Sequence, residues 1–144
     1  MKLKFQKKFV SNSEDDTRKI AQTFSGYIKN NSILYIEGDV GVGKTFFARS
    51  VAKNFGISNI SSSTYSFVSI YSGKLNLIHC DLYRYDDTPQ VLVEEIFEQL
   101  IEPWLLIIEW PNFVIPVSSC FSYKISISNS NEHKKVINIS TLIN

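Results

Sequence analysis

Short apolar runs alternate with amphipathic stretches along the chain. Residues 3–9 alternate apolar and polar side chains, which predicts an edge strand. Residues 32–37 and 105–108 are short apolar runs, which are typical of strands buried on both faces of a sheet. Strands are also predicted at residues 67–71, 75–80, 121–128 and 135–142, the first two joined by a Ser-Gly turn.

Apolar residues at helical spacing predict three helices between these strands. The helices are expected to begin at Ser13, Thr45 and Thr88, and to end at Asn30, at Gly56 and before Pro103. Their buried faces are expected to carry Ile20, Phe24, Tyr27 and Ile28 in the first, Phe47, Val51 and Phe55 in the second, and Val91, Leu92, Ile96, Phe97, Leu100 and Ile101 in the third. Strands that alternate with helices predict an α/β domain with antiparallel strands at its edges.

Size and composition indicate one globular domain, residues 1–144, with 44% hydrophobic and 20% charged residues. The formal net charge of +1 provides no broad basic field for unspecific nucleic-acid binding. No apolar run approaches the roughly 20 residues that a membrane span needs. The two cysteines, Cys80 and Cys120, suggest neither a zinc site nor a disulfide. We therefore expect a cytoplasmic protein with no membrane contact.

One segment, residues 38–45, fits the phosphate-binding pattern G-x-x-x-x-G-K-[ST]. Glycines let the backbone wrap closely around phosphates, and the following helix adds the positive end of its dipole. Lys44 is expected to hold the β- and γ-phosphates of ATP, and the Thr45 hydroxyl to bind Mg2+. The predicted binding set is Gly38, Asp39, Val40, Gly41, Val42, Gly43, Lys44, Thr45 and the adjoining Phe46. Since the motif lies between a predicted buried strand and a helix, we expect a P-loop NTPase-like fold with a mostly parallel central sheet and helices on both faces.

Two carboxylates, Asp81 and Glu109, come directly after predicted strands. Both are expected to face the phosphates if their strands run parallel to the one that ends at Glu37, because ligands gather at the carboxyl ends of such strands. A bound Mg-nucleotide needs a carboxylate to orient the metal or the attacking water, and the pattern leaves open which of the two ligates Mg2+. Glu37 itself is expected to be structural. His79 is expected to be a hydrogen-bonded core residue rather than a metal ligand, because no second His or thiol stands at ligand spacing.

Four sequence blocks, in order, resemble the TsaE family of ATPases, also called YjeE. The first is the 38–45 motif with F-F-A-R behind it. The others are S-S-T-Y-S-F-V at residues 62–68, H-C-D-L-Y-R at residues 79–84 and I-E-W-P at residues 108–111. The chain departs from the family pattern at Ser63, which replaces a proline, and at Ser66 and Cys80. Loss of the proline is expected to free the backbone before Thr64.

The resemblance implies an Mg-ATP-dependent ATPase that supports threonylcarbamoyladenosine modification of tRNA. It implies partners, the TsaD catalytic subunit and the TsaB scaffold, with tRNA engaged indirectly through their complex. Hydrolysis would reset or release that complex and would be weak without it.

The resemblance also implies roles for individual residues. Thr64 would lie in a switch-like loop near the γ-phosphate or Mg2+, and Asp81 and Glu109 would serve the metal and the hydrolytic water. Trp110 would lie in a second switch segment, the alternative being a half-buried packing residue. The resemblance also implies adenine near Glu14, Asp16 and Thr17, although no motif marks these positions.

Two other functions stay open. A small-molecule kinase usually needs additional arginines to clamp the transferred phosphoryl group, and the chain has three, Arg18, Arg49 and Arg84. A nucleotide-sensing module would bind Mg-ATP without hydrolysing it.

Overall fold

A seven-stranded sheet flanked by three helices is formed by the residues that the computed structural model describes, 2–60, 67–83, 85, 89–131 and 133–143. The strands are β1 (Lys2–Ser11), β2 (Ser32–Glu37), β3 (Val68–Ser72), β4 (Asn76–Asp81), β5 (Trp104–Glu109), β6 (Phe121–Asn131) and β7 (Lys134–Ile143). The helices are α1 (Glu14–Ser25), α2 (Lys44–Lys53) and α3 (Pro89–Gln99). The strands lie in the order β1-β7-β6-β2-β5-β4-β3. None of these three helices is long and apolar enough to cross a membrane.

The middle of the sheet is parallel. Strand β2 pairs in parallel with both β5 and β6, and β4 pairs in parallel with β5. The apolar runs of β2 and β5 suit this position, because the side chains on both faces of these strands are buried. In this register Asp81, at the end of β4, lies directly opposite Glu109, at the end of β5. The prediction that both carboxylates reach one edge of the sheet with the end of β2 is confirmed.

Antiparallel ladders extend the sheet on both sides. Strands β3 and β4 form the predicted hairpin. On the other side β6 pairs with β7, and β7 pairs with β1, which forms the edge strand that the sequence predicts. The predicted P-loop NTPase-like α/β class, with antiparallel edges, is confirmed.

Two hydrophobic clusters cover the two faces of the sheet. Leu34 of β2 packs in one cluster with Phe47 of α2 and with residues of α1. Ile33, which points to the opposite face, belongs to the other cluster with Ile96 of α3. The helices therefore lie on both faces, as predicted, and the α1–α2 face covers the sheet beside the glycine-rich loop.

Helix α1 begins as predicted and ends earlier. The Ser13 hydroxyl oxygen accepts a hydrogen bond from the Asp16 N–H at 3.1 Å and caps the helix. The helix ends at Ser25 instead of Asn30. The predicted burial of Tyr27 is therefore wrong, because this side chain lies past the helix and is 70% exposed.

Helix α3 buries a narrower face than the sequence predicts. Its buried residues are Leu92 and Ile96, which stand four apart and share one stripe. The predicted burial of Val91, Phe97 and Ile101 is wrong, since all three are exposed. A short helix on a sheet buries the stripe that faces the strands, and apolar residues outside that stripe face solvent.

Candidate functional site

The loop at residues 38–45 joins β2 to α2, and its backbone needs glycine at two positions, one for a close approach and both for a positive φ. Gly38 has φ of 152°, and a Cβ there would lie 2.5 Å from the carbonyl oxygen of Ile127. Gly43 has φ of 112° and forms the N-cap of α2. Residues with a side chain rarely adopt these angles. The first N–H groups of α2 point from the positive end of its dipole, which favours an anion at this position.

The Lys44 ammonium group is folded against this loop. Its Nζ donates hydrogen bonds to the carbonyl oxygens of Gly38 at 2.8 Å and Asp39 at 2.7 Å. The same nitrogen lies 4.0 Å from the centroid of the Trp110 ring. Burial lowers the pKa of Lys44, and the negative charges of Glu109, Asp81 and Asp39 oppose this shift. The ammonium is thus a partly desolvated cation surrounded by carbonyl oxygens, an aromatic face and carboxylates.

Glu109 is held at both carboxylate oxygens. The Thr45 hydroxyl donates to Oε1 at 2.7 Å, and Nε2 of His79 lies 2.5 Å from Oε2. The Glu109 side chain is buried, as is that of His79. The prediction that His79 is a hydrogen-bonded core residue is confirmed, and its partner is the candidate carboxylate itself.

Asp81 lies beside Glu109 and is more accessible. Burial raises the pKa of Asp81; the Tyr83 N–H, which donates to Oδ1 at 3.1 Å, opposes this rise, and the nearby Glu109 charge adds to it. The two carboxylates therefore differ in setting, although they are opposite each other in the register. Asp81 has one oxygen outside the hydrogen bond to Tyr83, whereas both oxygens of Glu109 are engaged.

A cavity of about 260 Å³ brings most of the predicted site residues together. We call it the acidic cavity; its lining residues are Val40, Gly41, Gly43, Lys44, Thr45, Phe46, Asp81, Tyr83, Glu109 and Trp110. Gly38 and Asp39 belong to the loop and contact Lys44 through their carbonyl oxygens, while the Val42 side chain is buried beneath the loop. Predicted residue Thr64 lies outside the described residues.

A second cavity, of about 170 Å³, lies on the other side of the loop. Its lining residues are Glu14, Thr17, Gly41, Val42, Gly43, Phe46, Ile127 and Lys135. The two cavities share Phe46 and two loop glycines and are therefore neighbours along the loop. Lys135 of β7 donates a hydrogen bond to the Val42 carbonyl oxygen.

The oxygen donors in the acidic cavity suit magnesium. Among the residues that the structure describes, no group of three or more His, Cys, Asp or Glu side chains is arranged to hold a metal on its own. Magnesium in nucleotide sites, however, takes one or two carboxylates together with phosphates and waters. The Thr45 hydroxyl and the carboxylates of Asp81 and Glu109 line one cavity and have this chemistry.

Size alone does not select this site. A larger cavity, of about 330 Å³, lies between α1 and the β6–β7–β1 ladder and is lined mainly by apolar and aromatic side chains, including Phe9, Phe24 and Tyr123. No carboxylate is found among the described residues that line it. Converging charges and hydrogen-bond donors, which mark a site for chemistry, are found instead in the acidic cavity.

Comparison with known proteins places this arrangement in a family. The sequence profile of the "Threonylcarbamoyl adenosine biosynthesis protein TsaE" family matches residues 11–137. This chain belongs to the TsaE family. The TsaE protein of Rickettsia bellii is 31% identical over 134 residues, which cover 91% of this chain and 92% of that protein. The TsaE protein of Rickettsia prowazekii is 37% identical over 106 residues, which cover 72% of this chain and 73% of that protein.

A solved structure extends the comparison to the fold. The crystal structure of YdiB from Bacillus subtilis superimposes with a TM-score of 0.71, covering 99% of this chain and 89% of that one. Because sequence identity is 22%, this likeness supports the fold alone.

The described parts of the TsaE-like sequence blocks lie close together in the structure. The 38–45 loop, the strand end with Asp81 and the strand end with Glu109 all reach the acidic cavity. Most of the block at residues 62–68 lies outside the described residues. Trp110, which follows Glu109, has φ of 59°, an unusual angle for a residue with a large side chain. It packs at half-burial against the second hydrophobic cluster and its ring lies 4.9 Å from that of Tyr83.

Sequence reasoning missed two contacts of this TsaE site. The bond between His79 and Glu109 carries a signal in the sequence, because His79 and Asp81 stand two apart on one strand and share a face. Lys135 carries no such signal, since its approach to Val42 depends on where β7 lies in the sheet.

Proposed function

We propose that the chain binds Mg-ATP and hydrolyses it in support of threonylcarbamoyladenosine formation on tRNA. One observation carries the proposal. The glycine-rich loop, the Lys44 ammonium, the Thr45 hydroxyl and two carboxylates at strand ends converge on one cavity. Each of these groups matches a need of a magnesium-bound triphosphate.

The loop and Lys44 bind the phosphates. Backbone N–H groups at the start of α2 donate to phosphate oxygens, and their dipole favours the negative charge. The Lys44 ammonium exchanges the carbonyl oxygens of Gly38 and Asp39 for β- and γ-phosphate oxygens, which are charged and therefore stronger acceptors.

Thr45 and Asp81 would bind Mg2+ directly, while Glu109 holds the Thr45 hydroxyl beside them. A magnesium ion held there would supply positive charge to offset the charge that develops on the phosphate oxygens. The Thr45 hydroxyl donates its proton to Glu109, so the lone pairs of its oxygen remain for a cation. Asp81 has one oxygen outside the hydrogen bond to Tyr83 and is the direct carboxylate ligand in this proposal.

Glu109 orients the attacking water. A carboxylate accepts about four hydrogen bonds, and the bonds from Thr45 and His79 leave roughly two further lone pairs. The water oxygen forms a bond to the γ-phosphorus while the bond from that phosphorus to the β–γ bridging oxygen breaks. The electron pair of the broken bond stays on ADP, and the water proton passes through the carboxylate to the released phosphate.

The placement of the two described arginines favours water over another phosphoryl acceptor; the third, Arg84, lies outside the described residues. Arg49 donates from Nε to the Ile60 carbonyl oxygen at 2.8 Å, and Arg18 pairs with Asp15 at 3.1 Å. Neither lines the acidic cavity. A kinase clamp would require such groups beside the transferred phosphoryl.

The nucleoside occupies the second cavity. Phe46 offers an aromatic edge shared by both cavities, and Glu14 and Thr17 offer acceptors for an amino group on the base. This placement agrees with the positions of Glu14 and Thr17 near adenine that the family resemblance implies, whereas Asp16 is not among the cavity's lining residues.

The biological role follows from the family. We propose that this chain acts on the complex of TsaD and TsaB, and that hydrolysis resets or releases that complex. Turnover is slow alone if a partner completes the site, because loop ordering by a partner commonly sets the rate.

The test measures ATP binding, ATP hydrolysis and tRNA modification with and without TsaB and TsaD. We expect Mg-ATP binding alone, faster hydrolysis with the partners, and modification that depends on this chain. Glu109→Gln is expected to lower kcat by about 100-fold. The control is Glu98→Gln, an exposed position on α3.

Each contrary outcome is informative. Tight binding without hydrolysis beside the partners, with Glu109→Gln fully functional, would establish a nucleotide sensor instead. Phosphorylation of a small acceptor in place of water would establish a kinase. Equal hydrolysis and equal tRNA modification with and without the partners would overturn the proposed role.

A further inference from the structure

We propose that His79 is a positioning residue, which sets the orientation of Glu109 and, through it, that of the Thr45 hydroxyl. The inference rests on the proposed ATPase function and deepens it. His79 does not line the acidic cavity, so it acts on the nucleotide through Glu109 and not by direct contact.

The geometry links three elements in a row. His79 of β4 bonds to Oε2 of Glu109 on β5 at 2.5 Å, and Oε1 of Glu109 accepts from Thr45 at the start of α2 at 2.7 Å. A carboxylate accepts and an imidazole N–H donates, so the bond requires the proton on Nε2 of His79. Each oxygen of Glu109 is thereby assigned to one donor.

Rotation of the carboxylate is therefore opposed from two sides. Without the histidine bond, Thr45 is the one hydrogen-bond partner left to the Glu109 carboxylate among the described residues, and turning the carboxylate would break that bond as well. The Thr45 hydroxyl would then lose the acceptor that aims its proton away from the metal position. Outer partners of metal-binding groups act in this way, by fixing ligand orientation.

Burial makes the bond hard to replace. The His79 and Glu109 side chains are each 2% exposed, so water has little access to the gap between them. In the strand register His79 lies opposite Ile107, two residues before Glu109, and the bond is therefore diagonal across the β4–β5 pair. A shorter side chain at position 79 cannot span that diagonal.

The experiment compares His79→Gln, whose terminal NH2 can take the place of Nε2, with His79→Asn, which carries the same amide on a shorter stem. We expect His79→Asn to lower kcat by about 10- to 100-fold and to raise the Mg2+ concentration needed for half-maximal rate. We expect His79→Gln to stay within about threefold of the parent chain. The control is His133→Gln, because His133 is the other histidine and is exposed.

Binding of ADP in the presence of a chelator provides a readout apart from turnover. The loop and Lys44 hold the phosphates without help from Glu109, so the metal-free ADP affinity of both variants is expected to stay within about threefold of the parent value. An equal loss of metal-free affinity and of kcat in His79→Asn would mean general damage to the site and would overturn the inference.

A double-variant comparison tests the route through Glu109. In a Glu109→Gln background His79→Asn is expected to cost less than about twofold in kcat, because the carboxylate that it positions is already gone. A full loss in that background, or equal losses in His79→Asn and His79→Gln, would overturn the inference.

The results distinguish a failure of the positioning role of His79 from a failure of the proposed ATPase function. If the parent chain neither binds nor hydrolyses ATP, the proposed function falls. If the parent is active and His79→Asn keeps kcat within about twofold, only the positioning role falls. If His79→Asn fails to fold, a folded His79→Gln with parental activity supports the role, and an inactive one overturns it.

Discussion

The parallel middle of the sheet and the antiparallel β1–β7–β6 ladder differ in where they place chemistry. All six residues of β5 are buried, whereas β6 mixes exposed and buried positions and its last four residues are exposed. Strands β2, β4 and β5 run in the same direction, so the glycine-rich loop, Asp81 and Glu109 meet at one edge. Neighbouring antiparallel strands bring opposite ends together and cannot gather their ends in this way.

The antiparallel ladder instead supports the loop. It supplies the Ile127 carbonyl oxygen, which leaves no room for a side chain at Gly38, and the Lys135 ammonium, which bonds to Val42. The comparison teaches that one region carries the carboxylates to which we assign the chemistry, while the other fixes the loop that we propose receives the ligand. Substitutions in the two regions should therefore differ in kind as well as in size.

The largest expected effect is a loss of binding without a loss of fold. Lys44→Ala removes the ammonium group that we assign to the phosphates, and Mg-ATP affinity should fall by about 1000-fold, as expected for two lost charge-assisted hydrogen bonds. Equilibrium dialysis measures the affinity, and circular dichroism checks the fold. Lys53→Ala, at the exposed end of the same helix, should stay within about twofold. Equal retention of ATP by Lys44→Ala and the parent would remove the basis for the assigned site.

The junction between the two regions should respond with a loss of stability. In Gly38→Ala the new Cβ would meet the Ile127 carbonyl oxygen at 2.5 Å and the Val42 side chain at 2.7 Å, at a φ of 152°. The free energy of unfolding should fall by about 3 kcal/mol from overpacking and backbone strain.

Gly41→Ala is the matched variant. Gly41 also has a positive φ, of 74°, yet a Cβ there meets nothing within 4 Å. In Gly41→Ala the free energy of unfolding should fall by about 1 kcal/mol, from backbone strain alone. Urea denaturation of both variants separates the two contributions, and equal costs would show that contact with β6 does not constrain the loop.

The charge on Asp81 is expected to lower the stability of the folded state, although we assign that charge a role in function. Because its pKa is raised by burial, the folded state holds the proton more tightly than the unfolded chain does, and ionisation opposes folding. The penalty is complete above the folded pKa and absent below the ordinary value of 3.8.

Asp81→Asn should therefore raise the melting temperature at pH 7 by about 3 °C in chelator-treated, nucleotide-free buffer. Since the amide oxygen can still accept from the Tyr83 N–H, the comparison isolates the charge. The gain should vanish near pH 3, and an equal gain at both pH values would contradict the assigned cause.

The smallest effect is expected on the antiparallel side. Val10 of β1 is 53% exposed, and Val10→Thr keeps a β-branched side chain there. Stability should change by less than about 0.5 kcal/mol and ATP affinity should not change. A large loss of ATP binding in this variant would show that the two regions are not separable.

The sequence predicts the centre of this molecule better than its margins. The 38–45 motif, the buried runs of β2 and β5 and the carboxylates after β4 and β5 carry strong local patterns, and parallel pairing brings them together. The residue roles within that site stay predictions. The exposed apolar residues of α3 were not separable by pattern, because an apolar stripe read from sequence does not show how wide a face the sheet covers.

The contacts that the sequence analysis missed depend on long-range placement. Lys135 reaches Val42 because β7 lies beside β6, and nothing in the alternation of β7 specifies that neighbour. The length of the His79 side chain decides that it meets Glu109 diagonally, while the register alone places it opposite Ile107.

The position of Lys44 over Trp110 gives the chain an intrinsic optical signal. The chain has two tryptophans. Trp104 is buried in β5 at 4% exposure, whereas the ring of Trp110 has the Lys44 ammonium group 4.0 Å from its centroid. If a triphosphate draws this cation away, as we propose, the electric field changes at Trp110 and stays constant at Trp104. Emission from the unlabelled protein would then follow nucleotide binding in real time.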